Sequence, residues 1–412
     1  MLAGRLLKRI VRVGSIDVID ADGRHHAFSG APGPAVTIRL HDRSLHTKLY
    51  LNPDLYLGEA YMDGTLTIEE GTLYDFLTLC LINLDYARSQ PFYKASEAFG
   101  MLFRRLQQRN PARRARAHAA HHYDRPDRLY DLFLDRDRQY SCAYFVDPDD
   151  DLETAQQNKK RHLAAKLLLE PGQRILDIGS GWGGLALYLA GFGAERVVGI
   201  TLSRPQLEVA RRRAAEADLA DRVHFHLRDY REEPGTYDRI VSVGMFEHVG
   251  VDHYGDFFGA VRERLADGGV CVLHSIGRMA GPDFTDAWIR KHIFPGGYEP
   301  ALSEVLPTVE RAGLWLTDLE ILRLHYAETL RHWRQRFQAG RASLAELCDE
   351  RFCRMWEFYL TASELAFRVR DRMVFQMQLA KRRDAVPLTR DYITDWERTQ
   401  ARQLDAATRA AE

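Results

Sequence analysis

The sequence predicts an α/β fold, a doubly wound parallel sheet preceded by a small α+β domain. Three observations carry that prediction. Past Gln173, short β-branched runs bounded by glycine alternate with amphipathic helical stretches, the pattern of parallel strands covered on both faces. Before residue 100, strand-like runs are broken by turns and followed by an apolar helix, which is an α+β pattern. A length of 412 residues suits two domains better than one.

In the first part, VGSIDVID and AVTIRL read as strands, and Asp22-Gly23, Pro32-Gly33-Pro34 and Asp63-Gly64 read as turns. LYDFLTLCLINLDYA reads as a helix and completes a domain over 1–100. From 101 to 122, six arginines (at 104, 105, 109, 113, 114 and 116) and a proline interrupt any core-like pattern, which marks a linker. The second domain spans 123–412. Its strands are RILDIGS, RVVGIT, RVHFHL, DRIVSVG and GGVCVLHSIG, with helices through ALYLAGFG and QLEVARRRAAEA. A strand at LWLTDLEIL, helical stretches in HYAETLRHWRQRF and CRMWEFYLTASELAFRVRD, and a last strand at VFQMQLAKR follow.

Composition narrows the function. Hydrophobic residues make up 45% and charged residues 28%, which excludes disordered and fibrous classes. The balance of 57 Lys+Arg against 58 Asp+Glu leaves no global basic excess, and the arginines are not interleaved with stacking aromatics, so nucleic acid is not an expected partner. Cys80, Cys142, Cys271, Cys348 and Cys353 are odd in number and form no CxxC pair, as expected for free thiols in a reducing cytoplasm. The basic start lacks the apolar core and cleavage site of a signal peptide, and no stretch approaches the ~18 apolar residues of a membrane span. Any membrane contact is therefore peripheral. Leu2, Leu6, Leu7, Ile10 and Val11 interleave with Arg5, Lys8, Arg9 and Arg12, a basic amphipathic pattern suited to an anionic surface and equally to a solvated helix face.

The strongest chemical signal is DIGSGWGG at 177–184, directly after an apolar strand and ahead of a helix. Its glycines let backbone N–H groups and a helix N-terminus approach a nucleotide-bearing ligand. The next strand ends in Thr201-Leu202-Ser203, without the carboxylate that an adenosine ribose of a nicotinamide cofactor calls for. The loop resembles motif I of class I S-adenosylmethionine-dependent methyltransferases.

A narrower resemblance covers residues 125–385. YSCAYF at 140–145, QQNK at 156–159, DIGSGWGG, GITLSRPQ at 199–206, RIVSVGMFEHVG at 239–250, LHSIG at 273–277, HYAETLRHW at 325–333 and AFRVRD at 366–371 occur in order. Together they resemble the cyclopropane-fatty-acyl-phospholipid synthase family, related to the mycolic acid cyclopropane synthases. The resemblance implies a Rossmann-like class I methyltransferase sheet, with a small N-terminal domain that is lipid-associated. It implies methyl transfer from S-adenosylmethionine to a cis double bond of an unsaturated phospholipid acyl chain, closing a cyclopropane ring, at the inner membrane face. It leaves open a homodimer, a sister activity giving a methyl-branched or methylated unsaturated chain, and, from another class, a small-molecule O- or N-methyltransferase.

The same resemblance implies that a bound bicarbonate serves as base, held by Cys142, Glu247, His274, the backbone of Ile276, and Tyr326. It implies cofactor contacts at Tyr140, Ser141, Asp177, Gly179, Gly181, Thr201, Leu202, Ser203, Gln206 and Asp229, and no metal. Seen singly, these residues have ordinary readings: Cys142 as a small buried hydrophobe, His274 as a core histidine, Asp229 as a turn charge. Phe246, Tyr254, Trp288, Phe294 and Tyr298 read either as an acyl channel or as core, and 286–300 as a lid. One departure is Ser363, where some family members carry a cysteine. Cys353 lies on another helical face and reads as structural.

Overall fold

A computed structural model describes residues 2–90, 127–345 and 348–411. The Arg-rich linker expected at 101–122 lies outside the described residues, as does the expected domain start at 123. Compactness groups residues 1–107 with two later segments, 283–297 and 326–372; the second unit comprises 108–282, 298–325 and 373–412.

In the first unit, β1 (Val13–Ile19), β2 (His25–Ser29), β3 (Ala31–Leu40) and β4 (Leu66–Glu70) form a sheet of order β2-β1-β3-β4, with β1 and β3 parallel. The sheet alternates, burying Ile16, Val18, Ile38 and Leu40 and leaving His25, Ala27 and Ser29 exposed. Its main helix, Leu73–Ile82, starts at a capping box in which Thr72 and Asp75 satisfy each other's backbone N–H groups. Asn83 ends it with both amide ends used, accepting from the Arg12 and Val13 N–H groups and donating to the Val13 and Leu79 carbonyls. The later segments join this unit by packing. Trp288 is buried, with its Nε1 on the Met62 sulfur at 3.0 Å and its ring 4.7 Å from Phe358. Tyr61 donates to Glu357 at 3.0 Å. Trp288 is thus a core residue of this unit.

The second unit carries a seven-stranded sheet. Its strands are β5 (Arg174–Ile178), β6 (Arg196–Thr201), β7 (Val223–Leu227), β8 (Tyr237–Val243), β9 (Leu265–Arg278), β10 (Trp315–Leu322) and β11 (Arg372–Ala380), in the order β10-β11-β9-β8-β5-β6-β7. Pairings among β5 to β9 are parallel; β10 and β11 pair antiparallel at the edge. Alternate residues feed two cores: Leu176, Ile240, Cys271 and Leu273 on one face, and Ile175, Val241 and Val272 on the other. Phe246 and Tyr254 stack at 4.4 Å inside the first of these cores, so neither lines a channel. From β5 the chain winds outward to β6 and β7, then returns to β8 beside β5. Strand order reverses at β5 and β8, and in open α/β sheets ligands bind at the carboxyl edge of such a point.

Candidate active site

A cavity opens at that edge. The end of each strand supplies a side: Asp177 through Trp182 after β5, Thr201, Leu202, Ser203 and Gln206 after β6, Asp229 after β7, and Val243, Gly244, Met245 and His248 after β8. Tyr140 and Ser141 complete the lining. All ten residues expected to contact the cofactor therefore face one cavity.

Two glycines explain why the loop after β5 needs its composition. Gly179 has φ +84° and Gly181 φ +53°, the left-handed region that side chains strain to enter. A Cβ on Gly179 would stand 2.7 Å from the Met245 Cβ, whereas one on Gly181 would meet nothing within 4 Å and project into open space. Trp182 closes the loop by packing 4.9 Å from Tyr130, whose ring meets Tyr140 edge-on at 5.8 Å. Behind the loop, Asp177 is buried and its Oδ2 has no hydrogen-bond partner among the described residues. Burial raises this carboxyl to about 7. An orphaned carboxylate oxygen and an open glycine edge fit a ligand that brings its own N–H or O–H donors.

Thr201, Ser203 and Gln206 bond chiefly among themselves. The Thr201 hydroxyl donates to Gln206 Oε1 at 3.1 Å and accepts from the Ser203 N–H at 3.2 Å. Ser203 also caps the helix Arg204–Glu216. Asp229 accepts two bonds from the Arg231 guanidinium, at 2.8 and 2.6 Å, so its carboxylate reaches the cavity already paired.

The segment carrying Tyr140, Ser141 and Cys142 has no regular structure of its own and is clamped to the helix Leu152–Leu167. Gln156 donates to the Gln139 and Ser141 carbonyls at 3.2 and 3.0 Å. Lys159, fully buried, donates to Gln139 Oε1 at 2.7 Å and Ser141 Oγ at 2.8 Å. Because Ser141 Oγ accepts from an ammonium, its own hydrogen is directed elsewhere. Burial lowers Lys159 to about 8, and the charges of Asp135 and Asp137 oppose that shift. At the other end, Tyr144 stacks between His162 at 4.2 Å and His325 at 4.8 Å. The motif QQNK is legible in the sequence, but nothing there shows that three of its polar side chains, Gln156, Asn158 and Lys159, are buried.

The residues expected to hold an anion gather partly. Glu247 sits on a 3₁₀ turn, Phe246–His248, just past β8; His274 and Ile276 lie on the same face of β9, two residues apart. The Ile276 N–H donates to Glu247 Oε1 at 2.7 Å. Glu247 Oε2 is buried without a partner among the described residues, and the Ser275 hydroxyl donates to the Ile276 carbonyl. Burial raises Glu247 to about 7. His274 is buried and held well below its ordinary value, first by burial and then by the charges of Lys159, Lys166 and His162. Cys142 is buried, with its thiol donating to the Ala143 carbonyl at 3.3 Å. Tyr326 belongs to the first unit, where it lies 4.8 Å from Phe367 and edge-on to Trp333 at 5.7 Å. Gln376, on β11, was not legible as a site residue; its Nε2 lies 3.1 Å from His274 Nδ1.

The chain is similar to known proteins over most of its length. The family described as mycolic acid cyclopropane synthetase matches residues 110–377, and a domain of unknown function matches residues 5–96. A protein of Pseudomonas putida named "Probable fatty acid methyltransferase" is 38% identical over 354 residues, 82% of this chain and 86% of its own. The cyclopropane-fatty-acyl-phospholipid synthase of Escherichia coli K12 is 36% identical over 344 residues, 84% of this chain and 87% of its own. Among solved structures, a mycolic acid cyclopropane synthase in complex with SAH and CTAB aligns with a TM-score of 0.61 at 31% identity. That alignment covers 66% of this chain and 99% of the solved one.

Proposed function

The chain belongs to the mycolic acid cyclopropane synthetase family and is an S-adenosylmethionine-dependent methyltransferase, and from that premise we propose that it methylates a cis double bond of an unsaturated phospholipid acyl chain and closes a cyclopropane ring. The observation that carries the reading is a buried Glu247, with one oxygen bonded to the Ile276 N–H and the other unpartnered, at the carboxyl edge of the sheet. A methyltransferase acting on a hydroxyl or amine needs a substrate base near the methyl group. It gives no reason for a second buried set of Glu247, His274 and Cys142.

S-Adenosylmethionine supplies the electrophilic methyl group. The cavity residues hold it: the loop glycines give backbone N–H groups, Asp177 and Asp229 give carboxylate oxygens, and Ser141 gives a directed hydroxyl. An alkene is a weak nucleophile, so holding it at near-attack distance supplies much of the rate. Methylation leaves a positive charge on the neighbouring carbon, and the ring closes when the new methyl group loses a proton. A bound bicarbonate would supply the base for that carbon-bound proton. The chain's groups suit such an ion: Glu247 near 7 accepts its proton, and neutral His274 donates to an oxygen. Cys142 and Ile276 complete the proposed set within the second unit; Tyr326, expected with them, belongs to the first unit. The Ile276 N–H reaches an ion only by sharing its bond to Glu247.

We assign residues 1–100 to lipid association and 123–412 to methyl transfer. Contact with the bilayer is peripheral in this reading, at the cytoplasmic face; no described helix is long and apolar enough to cross a membrane. A second reading is a methylated chain that is branched or keeps its double bond; a Pseudomonas putida relative is named only "Probable fatty acid methyltransferase", with no ring in its name. Incubation with methyl-labelled S-adenosylmethionine and liposomes tests the proposal. Label enters monounsaturated but not saturated phospholipid, and the rate falls when bicarbonate is removed and recovers when it is restored. Label appearing only in a small amine or alcohol overturns the proposal.

A further inference from the structure

Gln376 occupies the middle of β11, between Phe375 and Met377, and is wholly buried. A glutamine in such a place costs stability unless its polar atoms are paired, and its Oε1 has no partner among the described residues. What the amide does reach is His274. Its Nε2 lies 3.1 Å from Nδ1 of the ring, and that is the one side-chain hydrogen bond the ring makes among the described residues. An amide N–H donating to Nδ1 needs the lone pair there, so the neutral ring carries its hydrogen on Nε2. The backbone carbonyl of His274 is fixed separately, accepting from the Gly244 N–H at 2.9 Å.

We propose that Gln376 is a positioning residue that locks His274 in the Nε2–H tautomer, so that the ring presents a hydrogen-bond donor, not an acceptor, to the anion. The value of the tautomer rests on the reading of His274 as an anion ligand; the tautomer itself does not. Burial and the charges of Lys159, Lys166 and His162 keep the ring neutral, so the choice between its two forms falls to its one hydrogen-bond partner. A fixed donor is worth having beside a buried carboxyl: Glu247 already accepts, and a histidine that also accepted would leave bicarbonate without a donor on that side.

The test uses the full-length protein with ¹⁵N-labelled histidine. Two-bond nitrogen–proton correlation spectra are recorded for the wild type and for His274→Gln, whose missing signals identify His274. The expected result is a pyridine-type Nδ1 and a pyrrole-type Nε2 in the wild type. In Gln376→Met, which has similar volume and no donor, the two shifts move toward their average. There kcat falls about tenfold, as for one lost neutral hydrogen bond, with KM for S-adenosylmethionine within about twofold. A pyrrole-type Nδ1 in the wild type overturns the proposal, and that spectrum needs no variant to fold. Unchanged shifts and kcat in Gln376→Met also overturn it. If His274→Gln keeps its bicarbonate-dependent turnover, the anion-site reading falls and the lock loses its purpose, while the wild-type spectrum still reports the tautomer.

Discussion

Glu247 and Ile276 are joined by a single 2.7 Å hydrogen bond from backbone N–H to carboxylate, which ties the turn after β8 to the end of β9. It spends one oxygen of a buried carboxyl and leaves the other without a partner, at a group that burial has raised to about 7. A fold assembled for stability alone would not retain that arrangement, because an unpaired buried carboxylate oxygen costs free energy. In the proposed reading, that cost falls on the group that accepts the proton.

Replacing Glu247 with glutamine preserves the shape and removes the proton acceptor. Turnover in Glu247→Gln falls by about a hundredfold or more, the usual contribution of a general acid–base group. Its affinity for S-adenosylmethionine, measured by calorimetry, stays within about twofold, because Glu247 does not line the cofactor cavity. Equal losses in affinity and turnover would instead indicate a collapsed site.

Stability carries a pH signature of the same carboxyl. Its folded value near 7 exceeds the ordinary 4.5, so the folded protein holds that proton more tightly than the unfolded chain does. The associated stability is fully present below about 4.5 and is lost as pH rises through 7, a change on the order of 3 kcal/mol. Glu247→Gln therefore gains in Tm relative to the wild type as pH is raised from 5 to 8, read by thermal melts. A constant difference between the two proteins across that range contradicts the assignment.

Lys159 works through other side chains. In Lys159→Met the clamp on Gln139 and Ser141 is lost, while the apolar volume stays. Hydrogen bonds from a charged group are worth about 1.5–3 kcal/mol, so binding of S-adenosylmethionine weakens by about tenfold or more. The KM for lipid changes less. Calorimetry with the cofactor alone checks this directly.

The two loop glycines separate folding from binding. Gly179→Ala meets Met245 and a left-handed backbone at once, a penalty on the order of 3 kcal/mol that lowers Tm clearly. Gly181→Ala meets only the backbone strain, about 1–2 kcal/mol, yet its methyl group projects into the cofactor cavity. Gly181→Ala thus keeps most of its Tm and loses cofactor affinity, by about tenfold.

Much of this was legible in the sequence, for physical reasons. The strand RILDI, its glycine loop and the following helix announce themselves because apolar runs and glycines have few other uses in that order. Ten residues expected to contact the cofactor could be numbered from the sequence, and all ten line one cavity. Lys159 was legible only as part of the QQNK motif, not as a buried residue, and Gln376 was not legible. The helix Leu152–Leu167 looks hydrophilic, yet it buries Gln156, Asn158, Lys159, Lys160, His162 and Lys166 because each has a partner inside. Gln376 reads as an ordinary strand residue, and only the pairing of β11 into the sheet brings it to His274. Compactness also departs from chain order, since packing of Trp288 and Phe358 draws 283–297 and 326–372 to the first unit.

The most direct test is the structure of the product. Wild-type protein is incubated with S-adenosylmethionine and liposomes of monounsaturated phospholipid, and the acyl chains are then analysed by mass spectrometry and proton NMR. The account predicts a gain of one CH₂ with loss of the olefinic protons and appearance of ring-methylene signals. A gain of mass with the olefinic protons retained, or unaltered lipid beside a methylated small molecule, would contradict it.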